Sequence, residues 1–175
     1  NNLSYISPTV RFLTNPPRAV KQKLHPTTKT TSPAYDQCQT PNWPVDLLVQ
    51  YIDRFFVDSA ISKRDSLILE PAAGKLRLVH RLQMHGATVD YSDVILKGDF
   101  KRDFFTYTDE DVSDYDWIIT NPPFSQKFKW LTHCYSLDVP FALLMPLNVL
   151  GTVKAQILFS HYGVVVLTLP KRVNY

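Results

Sequence analysis

The chain has 175 residues, of which 45% are apolar and 13% aromatic, and a formal net charge of +3. This composition is typical of one globular domain and excludes an intrinsically disordered chain. A membrane-spanning helix is also excluded, because no apolar run reaches the roughly 20 residues that cross a bilayer. Pro140, Pro146 and Asn148 interrupt the longest such run.

The first 35 residues differ in charge from the rest of the chain. They contain no acidic residue and five basic ones, Arg11, Arg18, Lys21, Lys23 and Lys29. They are also rich in Pro, Thr, Ser and Asn, a composition that cannot pack a core by itself. We therefore predict a basic arm over 1–35 and a folded domain over 36–175. The arm is either a solvated tail or a segment that binds an acidic partner, nucleic acid above all, or another protein subunit.

Beyond residue 36, helical and strand patterns alternate along the chain. Apolar residues at three- and four-residue spacing predict helices over 43–56, 75–85, 128–137 and 154–161. Short runs of β-forming residues predict strands over 66–69, 88–91, 115–120, 141–145 and 163–169. The alternation predicts an α/β fold with a mostly parallel, twisted sheet covered by helices on both faces. Ligands bind such sheets at the carboxyl ends of the strands, so functional residues are expected directly after strands.

The two cysteines, Cys38 and Cys134, lie far apart and match no metal-binding spacing. The histidines also show no ligand spacing, so we expect no metal site. We interpret the cysteines as reduced thiols of an intracellular protein, in the cytoplasm or, as the alternative, in an organellar matrix.

The most informative motif is Asn121-Pro122-Pro123-Phe124, which directly follows the predicted strand 115–120. The amide oxygen of Asn121 and the carbonyl of Pro122 can both accept hydrogen bonds from a planar amine, which localises the lone pair of its nitrogen. Pro123 stiffens this loop, and Phe124 offers a ring on which a flipped base can stack. These residue types suit nucleophilic attack by an exocyclic amine.

The tetrapeptide resembles the catalytic motif of amino-methyltransferases, above all the S-adenosylmethionine-dependent N6-adenine DNA methyltransferases. Related tetrapeptides occur in families that methylate guanine in RNA or glutamine in proteins. The resemblance covers 36–175 and implies a Rossmann-like class I methyltransferase fold. It also implies S-adenosylmethionine as cofactor, DNA as the favoured nucleic-acid partner with RNA as the alternative, and the N6 amine of adenine as methyl acceptor. The order of the motifs resembles the class whose target-recognition region follows the catalytic part.

Residues 67–74 (LILEPAAG) resemble the first cofactor motif of that family. The resemblance implies that Glu70, Ala72 and Gly74 shape the turn beside the methionine part of the donor. The family usually has a second glycine two residues further on, where this chain has Leu76. A branched side chain therefore stands where the donor is expected to pass.

Two further segments resemble motifs that hold the nucleoside part of the donor. Asp93, in Ser92-Asp93-Val94, resembles the acid that accepts hydrogen bonds from the ribose hydroxyls, and Asp90 is the competing candidate. In Gly98-Asp99-Phe100, the resemblance implies that Asp99 accepts from the amino group of the cofactor adenine and that Phe100 packs on its ring.

The two ends of the predicted domain also resemble family motifs. Residues 36–44 (DQCQTPNWP) resemble the N-terminal motif in which Thr-Pro opens a helix near the methionine end of the donor. Thr40 is predicted to be the N-cap of that helix and Pro41 its first residue. The segment 169–175 (LPKRVNY) is similar to a late strand motif near the target-base pocket. Lys171 and Arg172 either contact phosphate there or form a solvated basic terminus.

Two alternative functions stay open. The first is a methyltransferase fold that has lost catalysis and serves as a structural subunit of a larger assembly, such as an organellar ribonucleoprotein. Leu76, the basic arm and the lack of a separate recognition module motivate it. The second is the same chemistry on an amine of RNA or protein.

Overall fold

The structure is a computed structural model that describes residues 40–62 and 65–173. The predicted basic arm 1–35 and Cys38 lie outside the described residues. The strands are β1 (Leu67–Glu70), β2 (Thr88–Tyr91), β3 (Trp117–Thr120) and β4 (Phe141–Leu143). The helices are α1 (Asn42–Phe55), α2 (Arg77–Met84), α3 (Asp109–Val112), α4 (Lys127–Ser136) and α5 (Val153–Tyr162).

The four strands form one parallel sheet in the order β2-β1-β3-β4. The chain first moves outward from β1 to β2 and then crosses to the other side of β1 to form β3. The strand order therefore reverses between β1 and β3, which pair through Ile68 with Trp117 and Leu69 with Ile118. In open parallel sheets the ligand crevice lies outside the carboxyl ends of the strands at such a reversal.

Both faces of the sheet are covered, as the run of apolar residues in the strands predicts. Side chains alternate between faces along β1: Ile68 belongs to a core cluster shared with α1 and α2, whereas Leu69 belongs to a second cluster shared with α4. All four residues of β3 are buried. The predicted α/β fold with a parallel sheet between helices is therefore confirmed within the described residues.

The prediction of a strand over 163–169 is wrong. These residues follow α5 in extended or irregular conformation without pairing, and six of the seven are exposed, Val165 to 62%. Their β-forming side chains favour a strand locally, but a strand also needs a neighbour for its backbone N–H and C=O groups. In the described part of the chain the sheet ends at β4.

The predicted start of the first helix is also wrong by one residue. Helix α1 begins at Asn42, and Pro41 is its N-cap in extended conformation without a side-chain hydrogen bond. The buried Thr40 therefore precedes the cap. Pro44 lies in the first turn, where its missing N–H costs nothing because that turn has no intrahelical acceptor.

The other predicted helices and strands are present with shifts of one or two residues at their ends, and α3 is an additional helix that we did not predict. No helix in the described ranges combines the length and the apolar character needed to cross a bilayer.

Candidate active site at the carboxyl ends of the strands

A buried carboxyl joins the loops that follow β1 and β3. Glu70, the last residue of β1, is fully buried. Its Oε1 atom accepts a hydrogen bond from Thr120 Oγ1 at 2.6 Å and another from the backbone N–H of Ala72 at 2.9 Å. Thr120 ends β3 and directly precedes Asn121. One oxygen atom thus ties the predicted donor turn to the predicted catalytic loop.

The environment of Glu70 keeps this carboxyl protonated at neutral pH. Burial raises the pKa of Glu70 to about 8, and the nearby Asp93 adds to the rise, whereas hydrogen bonds from Thr120 and Ala72 oppose it. Its second oxygen, Oε2, is buried and has no hydrogen-bond partner among the described residues. Because Oε1 already accepts two hydrogen bonds, the proton belongs on Oε2, where it makes a buried donor.

Two residues in the turn after β1 have a left-handed backbone, and one of them is not a glycine. Gly74 (φ 50°) and Leu76 (φ 64°) both adopt positive φ, and Leu76 is the N-cap of α2 in left-handed conformation. A non-glycine residue in this region costs about 1–2 kcal/mol. The Leu76 side chain packs against the core cluster that contains residues of α1 and α2, so the branched side chain is accommodated by the helices.

Asp93 lies at the carboxyl edge, beside this turn. Its Oδ2 accepts from the backbone N–H of Gly74 at 2.9 Å, and its Oδ1 from that of Ile95 at 3.1 Å. Each carboxylate oxygen retains a second lone pair for a ligand. The competing candidate, Asp90, lies inside β2 and accepts from the Tyr115 hydroxyl at 2.8 Å. The geometry therefore places Asp93, and not Asp90, in the loop after β2.

The Gly98–Phe100 turn folds back onto the end of β2. The backbone N–H of Asp93 donates to the carbonyl of Phe100 at 3.1 Å. The Phe100 ring stacks on Tyr91 at 4.8 Å between centroids and 6° between planes, and the Phe100 side chain is 50% exposed. Asp99 is exposed in the same turn. Tyr91 was not among the predicted site residues, and its signal in the sequence is an aromatic residue at the last position of a strand.

The predicted catalytic tetrapeptide begins at the end of β3. Asn121 is half-buried with its Oδ1 atom shielded from solvent, and Pro122 is buried. Pro123 leads into a single helical turn, Phe124–Gln126, before α4 starts. The carbonyl of Phe124 accepts from Lys127 Nζ at 3.4 Å. Packing of Pro122 and this short turn hold the loop between two regular elements.

The predicted C-terminal site residue Lys171 contacts the first turn of α1. Lys171 Nζ is 5.1 Å from the ring centroid of Trp43, in the first turn of α1 and close in sequence to Thr40 and Pro41. Arg172, the next residue, is exposed.

Helices α1 and α2 pack on the same face of the sheet. Asp46, in the second turn of α1, accepts from Arg81 Nε at 2.6 Å and lies 2.7 Å from His85 Nε2. Arg81 is in the last turn of α2 and His85 is its C-cap, so this contact joins the start of α1 to the end of α2.

Thr120, which makes the shortest hydrogen bond in the site, was not among the predicted site residues. A threonine at the end of a β-rich strand is common, so the sequence carries no signal of its partner. Within the described ranges, no group of three or more His, Cys, Asp or Glu residues could hold a metal ion.

No protein-family model matches this chain, and no curated protein and no solved structure matches it. The geometry of the carboxyl edge and the residue types along it are therefore the basis for assigning a function.

Proposed function

We propose that the chain is an S-adenosylmethionine-dependent methyltransferase with a Rossmann-like class I fold, acting on the exocyclic N6 amine of adenine in DNA. The observation that carries the proposal is the pair of hydrogen bonds to Glu70 Oε1, from the turn after β1 and from the residue before Asn121. Methyl transfer to an amine requires the loop that binds the methyl donor and the loop that binds the acceptor to lie side by side. Glu70 joins the loops after β1 and β3 at the point where the strand order reverses.

The residues at the carboxyl edge fit the donor. Bound S-adenosylmethionine supplies an electrophilic methyl group on a sulfonium. Asp93 offers acceptor lone pairs to ribose hydroxyls. The Phe100 ring stacks on Tyr91 and is half-exposed, so it offers a surface on which adenine can stack. Asp99, the preceding residue, offers an acceptor for the adenine amino group. The protonated Oε2 atom of Glu70 is a buried hydrogen-bond donor at the base of the turn after β1.

The loop after β3 supplies the groups for the acceptor. The Oδ1 atom of Asn121 is shielded from water, which strengthens a hydrogen bond from an amine. Together with the carbonyl of Pro122, it draws the two N–H groups out of the ring plane and frees the nitrogen lone pair. Phe124 offers a stacking surface for a base that has left the duplex. The chain then needs only to hold the amine in line with the donor, because the donor carries the reactive group.

Calorimetric titration of S-adenosylmethionine into the purified chain tests the donor site. We expect binding that is lost in Asp99→Ala and weakened in Asp93→Ala. Asp114→Ala is the matched control, because it removes an exposed carboxylate outside the site. A folded protein that binds no donor would contradict the proposal and favour the structural-subunit alternative.

Transfer of labelled methyl to DNA, RNA and protein then tests the acceptor. We expect label in DNA and, after hydrolysis, in N6-methyladenine. Label found only in RNA or only in protein would overturn the adenine-DNA assignment and leave the amine chemistry in place.

A further inference from the structure

An open cavity of about 550 Å³ runs along α4, away in sequence from the residues assigned to the donor. Its walls come from three elements: Phe105 of the Phe104–Thr106 turn, one face of α4, and Lys154 near the start of α5. We call it the α4 groove. The face of α4 contributes Phe128, Lys129 and His133, together with two hydroxyl-bearing side chains.

The α4 groove is cationic. Its lining contains two lysines and a histidine and no acidic residue. Lys129 Nζ lies 3.5 Å from the ring centroid of Phe105, and Lys154 Nζ lies 6.0 Å from that of Phe128. Neither lysine belongs to the ion pairs found among the described residues, which involve Arg81, His85 and Arg102. Two ammonium groups therefore face the groove without carboxylate neutralisation.

The aromatic walls of the groove are held in place by the core beneath them. Phe105 packs edge-on against the buried Trp130, with 5.6 Å between centroids and 68° between planes. The ring of His133 lies 5.6 Å from Phe105, and its Nε2 contacts the carbonyl of Phe104 at 3.1 Å. Phe128 packs against the cluster between α4 and α5. Both phenylalanine rings remain half-buried, so part of each ring is open to the groove.

We propose that the α4 groove binds the backbone and bases of a single-stranded nucleic acid. Lysine ammonium groups neutralise phosphates, and the exposed hydroxyl of Thr132 can donate to a phosphate oxygen. Fixed aromatic rings beside a cationic track are the features on which unpaired bases stack. An acidic peptide would satisfy the lysines but would leave the two rings without a planar partner, so the aromatic walls favour nucleic acid.

The groove starts close to the tetrapeptide but is separate from it. Lys127, the first residue of α4, contacts the carbonyl of Phe124, and Phe128 and Lys129 follow directly. A strand in the groove therefore leads towards the loop after β3. Its binding does not depend on methyl transfer, so the groove can be tested whether or not the chain is a methyltransferase.

Fluorescence anisotropy with a labelled single-stranded oligonucleotide tests the groove on the full chain. We compare wild type with Lys129→Gln, Lys154→Gln and the double variant. Arg54→Gln is the matched control, because it removes an exposed positive charge at the far end of α1. Lys129→Arg keeps the charge and is expected to keep binding.

Each lysine substitution is expected to weaken binding about fivefold at roughly 0.1 M salt, since one phosphate contact on a single strand contributes a slope of about −0.7 in log K against log salt. The slope itself should become shallower by about 0.7 for each lysine removed, and by nothing in the control. The basic segment 1–35 is present in every variant, so it contributes equally and the difference between variants reports the groove.

Unchanged affinity and slope in the double variant would overturn the proposal, as would an equal loss in Arg54→Gln. Displacement of the oligonucleotide by polyglutamate at equal charge concentration would instead identify an acidic protein as the partner and also overturn it. Donor binding measured by calorimetry is expected to be the same in all these variants, so the failure of the groove and the failure of the donor site are distinguishable.

Discussion

The ionisable groups at the carboxyl edge of the sheet and in the α4 groove lie in opposite environments, one buried and the other exposed. At the edge, the carboxyl of Glu70 is fully buried, joins two loops through Oε1 and is protonated at neutral pH. In the groove, Lys129 and Lys154 are exposed and lie over aromatic rings. Burial makes the first group a positioning element that responds to pH, whereas exposure makes the second a binding surface that responds to salt.

The largest expected effect is a loss of methyl transfer at the carboxyl edge with no change in oligonucleotide binding by the α4 groove. We expect Asn121→Ala to lower methyl transfer by about 100- to 1000-fold, as removal of one preorganised hydrogen-bonding group typically does. Donor affinity and oligonucleotide affinity should stay at wild-type values. The assay is single-turnover transfer of labelled methyl to DNA. Asn148→Ala, at an exposed position of a short turn, is the control; full activity in Asn121→Ala would refute the assigned role.

The next largest effect is the pH dependence that Glu70 gives to the free energy of unfolding. Because the pKa of Glu70 is about 8 in the folded chain and lies near 4.5 when unfolded, the unfolded chain releases this proton first. The free energy of unfolding therefore falls as pH rises from about 4.5 to about 8, by up to about 1.4 kcal/mol per pH unit from this group. Its stabilising contribution is full below pH 4.5 and lost above pH 8.

Glu70→Gln removes this titration. The difference in unfolding free energy between variant and wild type should shift in favour of the variant as pH rises through this range. Urea denaturation of both proteins near pH 5 and near pH 9 measures it, with the exposed Glu110→Gln as control. A difference that does not change with pH would show that Glu70 is ionised in the folded chain.

A smaller effect tests the link between the two loops. Thr120→Val keeps the shape of a buried side chain and removes the hydroxyl that donates to Glu70 Oε1. We expect a loss of about 1 kcal/mol in unfolding free energy and a further rise in the pKa of Glu70, because this hydrogen bond lowers it. Thr88→Val, at an exposed site of β2, should stay within about 0.5 kcal/mol of wild type. Equal effects in the two variants would mean that the contact between the loops is not a stabilising one.

The smallest effect concerns the donor turn. Leu76→Gly relieves left-handed strain of about 1–2 kcal/mol but removes a half-buried side chain from the core cluster. Because that side chain packs against the helices, we expect donor affinity to change by less than about twofold, or roughly 0.4 kcal/mol. Calorimetry measures it, and a large gain in affinity would show that Leu76 obstructs the site.

The two predictions that the structure overturns have a common cause. The strand expected over 163–169 and the helix cap expected at Thr40 were both inferred from local preference. A strand also requires a paired neighbour, and a cap depends on where the helix begins; α1 begins one residue later than expected. Helix α3 was missed for a related reason, since Thr108 and Asp111 form a reciprocal capping box inside an acidic segment for which no helix or strand was predicted.

The positions of the predicted site residues could be anticipated because they follow strands. In a parallel sheet all strands end at the same edge, so Glu70, Asp93 and Asn121 had to lie along one side once the strands were identified. The roles that the family resemblance assigns to them stay predictions.

The sequence by itself determined the alternation of helices and strands and the parallel sheet. It also determined the edge of the sheet, at the carboxyl ends of the strands, where the polar site residues lie. Periodicity and strand ends are local properties of the chain, so they can be found without coordinates. Only the tertiary structure decided the partners: Thr120 on Glu70, Phe100 on Tyr91, and the lysines over Phe105 and Phe128. These contacts join residues that are distant in sequence, and their burial and charge exist only after the chain has packed.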